Sequence, residues 1–147
     1  MNIRYKKKKG SLILESSASI VILSMVSIFI INAHIYCGRS IKTRILNEEL
    51  TRNIENVKKE IQYNVSRAKI KEIFKDNKYG LMYDKDFGTQ VLNKDFNELK
   101  IGNDILINII NEDDEKLSFS IEAEINVGNY NIKVNDEFEK SWWMDEI

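Results

Sequence analysis

Lys6-Lys7-Lys8-Lys9-Gly10-Ser11-Leu12-Ile13-Leu14-Glu15 is followed by twenty-three residues without a charge, Ser16 to Gly38. At about 1.5 Å of rise per residue this run covers about 34 Å as a helix, against a bilayer core of about 30 Å. Arg4 and Lys6 to Lys9 put five positive charges before it. The positive-inside rule then orients the N-terminus to the cytoplasm and the long following segment outside. A secretory signal peptide fits poorly. Its apolar region runs about 7 to 15 residues to a small-x-small cleavage site, whereas this run ends in His34-Ile35-Tyr36-Cys37. Tyr36 also departs from a lipoprotein signal, which needs a small residue before the modified cysteine. A plain single-pass anchor explains everything except Gly10 and Glu15, because a carboxylate inside a membrane helix costs free energy that an anchor does not recover.

A basic run, a glycine, and one carboxylate five positions later at the mouth of an apolar helix: this segment resembles the leader of type IV pilin-like proteins. The resemblance is specific over residues 6 to about 36 and architectural beyond. It implies that a prepilin peptidase cuts between Gly10 and Ser11, that the new N-terminus at Ser11 is methylated, and that Glu15 serves in assembly. It implies as partners other pilin-like subunits, an assembly platform protein and membrane lipid. The chain departs from major pilins in having Ser11 where many have phenylalanine, no proline in the helix, and no C-terminal disulfide, since Cys37 is its one cysteine. Those departures point to a minor pilin or pseudopilin-like subunit of a type IV pilus, type II secretion or DNA-uptake machine, a structural protein rather than an enzyme.

Charge is distributed unevenly. Arg39 to Lys75 holds ten bases against five acids, and Asp76 to Ile147 seven bases against seventeen acids. An acidic outer part does not suit phosphate neutralisation, so no direct nucleic-acid binding is expected. Arg39, Lys42 and Arg44 stand where lipid phosphates are within reach, although a solvated helix face accounts for most of these charges. Cys37 reads as a small apolar filler, and His34 as a lone imidazole without the neighbours that a metal site or a Ser/His pair requires. Ser16, Ser24, Ser27 and His34 share one side of the helix. That side suits close contact with other subunits, and equally the ordinary tolerance of serine in membrane helices.

Beyond Arg39 the helical period continues. Leu46, Leu50, Ile54, Val57, Ile61, Val65 and Ala68 are spaced 4, 4, 3, 4, 4, 3, an eleven-residue repeat of about 3.67 per turn that fits a nearly straight helix. Gly38 marks a point of local weakness. Lys58 falls on the solvent side of this pattern. Tyr63, Ile70, Ile73 and Phe74 form a second apolar set, so the outer helix is expected to be covered on two sides and to end near Lys75. Asp76 to Gly80 supplies a turn, with Gly80 available for positive φ. Residues 80 to 102 read as a connecting segment laid over the core, with a short strand or helical turn near Asn93 to Leu99.

Alternation takes over after that. Ile105, Ile107 and Ile109, then Leu117 to Val127, then Tyr130, Ile132 and Val134 recur at period two and are rich in β-branched and aromatic residues. Gly128-Asn129 suits a two-residue hairpin turn. The expected fold is α+β: a long N-terminal helix packed against a small antiparallel meander of three strands. The expected divisions are a cleaved basic leader at 1–10, a transmembrane half at 11–38, an exposed helical half at 39–76, and a variable segment with the sheet at 77–147. No phosphate loop, metal-spaced cluster or nucleophile motif is present, so neither metal nor cofactor is expected. Glu112 to Glu115 lacks the spacing of a calcium loop and reads as a solvated turn. Trp142-Trp143 reads as closing over the thin core, with an exposed contact site as the alternative, and the two are not expected to be both fully exposed. The competing reading is a single-pass membrane scaffold whose exposed helix pairs with partners as a coiled coil.

Overall fold

The computed structural model describes residues 8–145. Of the expected leader, positions 1–7 lie outside the described residues. The chain divides into two compact units, Met1–Lys42 and Thr43–Ile147. The described part of the first unit is entirely helical and belongs to α1, which spans Lys8–Lys59. No proline interrupts α1, and Gly38 stays helical with open space where a Cβ would stand.

The second unit begins with the outer turns of α1. A π-helical turn follows at Glu60–Asn64, then α2 at Arg67–Ile73. The remaining elements are β1 (Lys78–Leu81), α3 (Phe87–Asn93), a 3₁₀ turn (Phe96–Glu98), β2 (Ile105–Glu112), β3 (Lys116–Val127), β4 (Tyr130–Ser141) and a second 3₁₀ turn (Trp142–Asp145). The sheet is antiparallel with order β1-β2-β3-β4. The fold is therefore α+β, an outer helix on a small antiparallel sheet.

The helical stripe packs as its spacing requires. Leu50, Ile54, Val57, Ile61 and Val65 are buried, Leu46 packs against their edge, and Ala68 is exposed. Opposite them lie Ile105, Ile107, Leu117, Phe119, Ile121, Ala123, Ile125, Ile132 and Phe138 from the sheet. Aromatic contacts run through this core: Phe138 stacks on Phe119 with centroids 4.9 Å apart, Phe119 meets Phe74 edge-on at 5.9 Å, and Tyr79 lies 5.5 Å from Phe74 and 5.1 Å from Phe96.

Several expectations are corrected. The helix does not run on to Lys75. After the π-turn, Val65 takes extended angles (φ −107°, ψ 116°), and Ser66 caps α2 by accepting from the Lys69 N–H at 3.4 Å. Serine at a helix start satisfies an otherwise orphaned donor. The break lets Ile70 and Phe74 reach the same core as the stripe, while Tyr63 remains exposed. The turn after α2 takes its left-handed residues from Asp76 (φ 51°) and Asn77 (φ 61°), not from Gly80. Gly80 lies within β1, a fourth strand absent from the three expected. A Cβ there would meet the Gly102 carbonyl oxygen at 2.2 Å, so close backbone approach is what requires glycine. Gly128 (φ 62°) makes the β3–β4 turn, with Val127 paired to Tyr130. The 80–102 segment is itself part of the core, through Leu81, Phe87, Val91, Phe96 and Leu99. The connection between β1 and α3 is tied to α1 by Asn53, whose amide donates to the Tyr83 hydroxyl at 3.1 Å. Trp142 and Trp143 do not close over the core; they are 53% and 46% exposed.

Candidate functional site

The candidate segment is the start of α1. Gly10 and Ser11 lie in its first turns, and Glu15 follows Ser11 by one helical turn, about 6 Å along the axis. The Glu15 side chain is exposed, and among the described residues its carboxylate has no hydrogen-bond or ion-pair partner. Its backbone carbonyl accepts from the Ser19 hydroxyl at 2.8 Å. α1 begins at Lys8 and has no acidic residue in its first turn, so the helix dipole does little to offset the unfavourable place of this carboxylate beside apolar neighbours.

The apolar side chains around it are uncovered. Leu12, Ile13 and Leu14 are exposed, as are Ile20 to Leu23, Met25, Val26 and Ile28 to Ile31. One helix near the N-terminus is long and apolar enough to cross a membrane, and none of its most apolar window is buried within the chain. The serines in this belt are satisfied internally. Ser17 donates to the Leu14 carbonyl at 3.0 Å, Ser24 to Ile20 and Ser27 to Leu23 at 2.8 Å each, and Ser16 donates to the Leu12 carbonyl. These hydroxyls make no demand on a neighbouring helix, which favours tolerance over contact as the account of the serine-bearing side. His34 and Cys37 are exposed.

The second unit carries two polar clasps that sequence reasoning missed. In the first, Lys58 binds Asp136 on β4 at 2.6 Å and Glu55 at 2.9 Å, and its side chain is only 14% exposed. Lys58 is therefore not a solvent-face residue. Burial pulls its ammonium pKa down, but the carboxylates of Asp136 and Glu55 outweigh burial and hold it above the ordinary lysine value. The hydrogen bond from Lys58 holds Asp136 below the usual carboxylate range. In the second clasp, fully buried Lys140 donates to the Gln62 carbonyl of the π-turn and pairs with Asp145 at 3.0 Å. Asp145 also accepts from the Arg67 N–H at 3.2 Å, while the Arg67 guanidinium donates to the carbonyls of Asp114 (2.8 Å) and Asp113 (3.1 Å). The signal was available: Ile132, Val134, Asp136, Phe138 and Lys140 occupy one face of β4 at period two, so two charges sit among the inward positions.

Asp113 to Glu115 form the β2–β3 turn, where the Asp113 N–H donates to the Lys116 carbonyl at 2.9 Å. Among the described residues no cluster of metal-ligating side chains occurs. A shallow groove of about 390 Å³ on β3 and β4, lined by Ser120, Glu122, Asn135, Asp136 and Glu137, is acidic and open. No family model, curated protein or solved structure matches the chain.

Proposed function

We propose that the chain is a minor pilin or pseudopilin-like structural subunit of a type IV pilus, type II secretion or DNA-uptake filament machine, processed at Gly10 and assembled through Glu15. The observation that carries this reading is the Glu15 carboxylate, without a partner among the described residues, one turn after Ser11 in an apolar helix whose side chains are exposed. Cleavage after Gly10 gives Ser11 an α-ammonium. That cation on one subunit and Glu15 on the next are complementary as apolar helices gather, and either one left unpaired in a packed interior costs a few kcal/mol. The pair then acts as a register check on insertion. The same geometry weighs against a coiled-coil scaffold, because the stripe such a scaffold would offer to a partner, Leu50 to Val65, is already covered by the chain's own sheet.

Intact-mass measurement on the membrane fraction tests the processing. The expected mature chain starts at Ser11 and is N-methylated, and Gly10→Leu retains the leader. A leader retained by the unaltered chain in cells that possess the peptidase overturns the reading. Glu15→Gln and Glu15→Ala are expected to insert into the membrane and be cut normally, yet to be depleted in sheared filaments relative to the membrane pool. Full incorporation of both removes the assembly role of Glu15.

A further inference from the structure

Among the polar residues of the membrane-length run, Asn32 differs from the serines. Their hydroxyls are spent on carbonyls of their own helix, whereas the Asn32 carboxamide has no hydrogen-bond partner among the described residues. It stands six residues before Gly38, about 9 Å inside the outer end of the uncharged run. Helical side chains lean toward the N-terminus, which carries the amide deeper still. An unmet amide at that depth needs a partner that lipid tails cannot supply.

The row on which it lies indicates which partner. Ala18, Val21, Met25, Ile28, Asn32 and Ile35 are spaced 3, 4, 3, 4, 3, and all are exposed. That spacing is a heptad seam, with Ala18, Met25 and Asn32 at a and Val21, Ile28 and Ile35 at d. A single asparagine at an a position is the device by which parallel helices fix their register. The basic residues before the helix give every copy the same orientation, so Asn32 of one copy meets Asn32 of another at equal depth. A carboxamide both donates and accepts, so two of them answer each other; an unrelated helix would need a polar group at the same level.

We infer that Asn32 seats the membrane helix against a second copy of this chain in a parallel pair. This rests on the membrane reading of the helix and not on filament assembly. The test uses the full chain in membranes of cells without the peptidase or assembly machinery, with Cys37→Ser to clear the native thiol. Under mild oxidation Ile28→Cys, on the seam, is expected to give disulfide dimers, and Val26→Cys, off it, few. Adding Asn32→Leu is expected to lower the Ile28→Cys dimer about three- to tenfold, the range carried by interhelical hydrogen bonds, and Asn32→Gln to keep most of it. Equal cross-linking from both positions, or no response to Asn32→Leu, would overturn the pair. Release of the unaltered chain by alkaline extraction would overturn it by removing the membrane premise. Failure of Glu15 variants to alter filaments leaves it untouched.

Discussion

The start of α1 and the stretch from its last turns through the π-turn to Val65 solve opposite problems with similar residues. From Leu12 to Ile31 the apolar side chains surround the helix and are exposed; from Leu50 to Val65 they keep to one stripe and are buried. An apolar residue on every side has no preferred partner within a small domain, whereas a stripe about 100° wide can be covered by one sheet. Arrangement decides between them: the stripe is covered by the chain itself, and the apolar belt near the N-terminus is exposed.

The sharpest way to break this contrast is to place the same charge in each region. Ile54→Asp or Ile61→Asp is expected to unfold a soluble fragment beginning near Arg39, because an unpaired buried carboxylate costs several kcal/mol against a domain stability of about 5 to 15. Ile22→Asp has no comparable packing to lose, since Ile22 is 62% exposed. Its effect is expected in membrane retention, with the melting transition of the outer domain unchanged. Circular dichroism of the fragments and fractionation of the full chain read the two outcomes. Equal tolerance at Ile54 and Ile22 would mean that the stripe is not covered.

A smaller effect is expected at the C-terminal clasp. Asp145→Asn leaves the Lys140 ammonium buried with the Gln62 carbonyl but no counter-charge, at a cost of about 3 kcal/mol. Lys140→Met removes the charge with the need for it and is expected to cost less. Urea melts of the two variants decide it; a larger loss in Lys140→Met would show that the lysine's own contacts, not its neutralisation, matter most.

Smallest is the Lys58 clasp. Lys58→Ala is expected to cost about 1 kcal/mol, and Lys59→Ala, on the exposed side, less than about 0.5. The pH dependence follows from the two shifts. Asp136 titrates lower in the folded chain, so its contribution is present above the unfolded carboxylate pKa, near 3.9, and is lost as pH falls through the lower folded value. Lys58 titrates higher when folded, so its contribution is present below the unfolded lysine pKa, near 10.4, and is lost as pH rises through the folded value. Asp136 is partly solvated, which limits either effect to about 1 kcal/mol. Chemical denaturation is expected to show the full difference between Lys58→Ala and the unaltered chain near pH 7, and a difference that shrinks as pH falls below the unfolded carboxylate value or rises above the unfolded lysine value.

Periodicity made the α+β class, the stripe and β2 to β4 legible, because burial on one face leaves a repeat of 3.6 or 2 residues in the chain. What escaped was set by contacts without a period. β1 is four residues long and exists because Gly80 lets the Gly102 carbonyl approach, a relation between positions 22 apart. The break at Val65 and Ser66 hides inside an unbroken hydrophobic repeat, since Val65 stays buried while its backbone leaves the helix. The two tryptophans look like core by composition, yet the turn that holds them is anchored by its backbone and by Asp145. Trp142 N–H donates to the Glu115 carbonyl at 2.9 Å, which leaves both rings outside. At the candidate segment, Gly10, Ser11 and Glu15 are legible as a motif; that Glu15 lacks a partner within the described chain is a matter of structure.

The sheet's two rims bear on how copies of this protein behave when crowded. An open strand edge is a template on which a neighbouring chain can add strands without limit. Along β1 the outer rim is occupied by the chain itself: Met82 N–H donates to the Lys100 carbonyl at 2.9 Å and Gly102 N–H to the Gly80 carbonyl at 3.2 Å. Along β4 the Gln62 amide takes the Glu139 carbonyl at 2.8 Å, and the Asp136 carboxylate takes the Glu137 N–H at 2.8 Å. Asp136 and Lys140 themselves point inward, so an added strand would have to bury charges already committed elsewhere. Uncontrolled cross-β growth is thereby disfavoured at both rims.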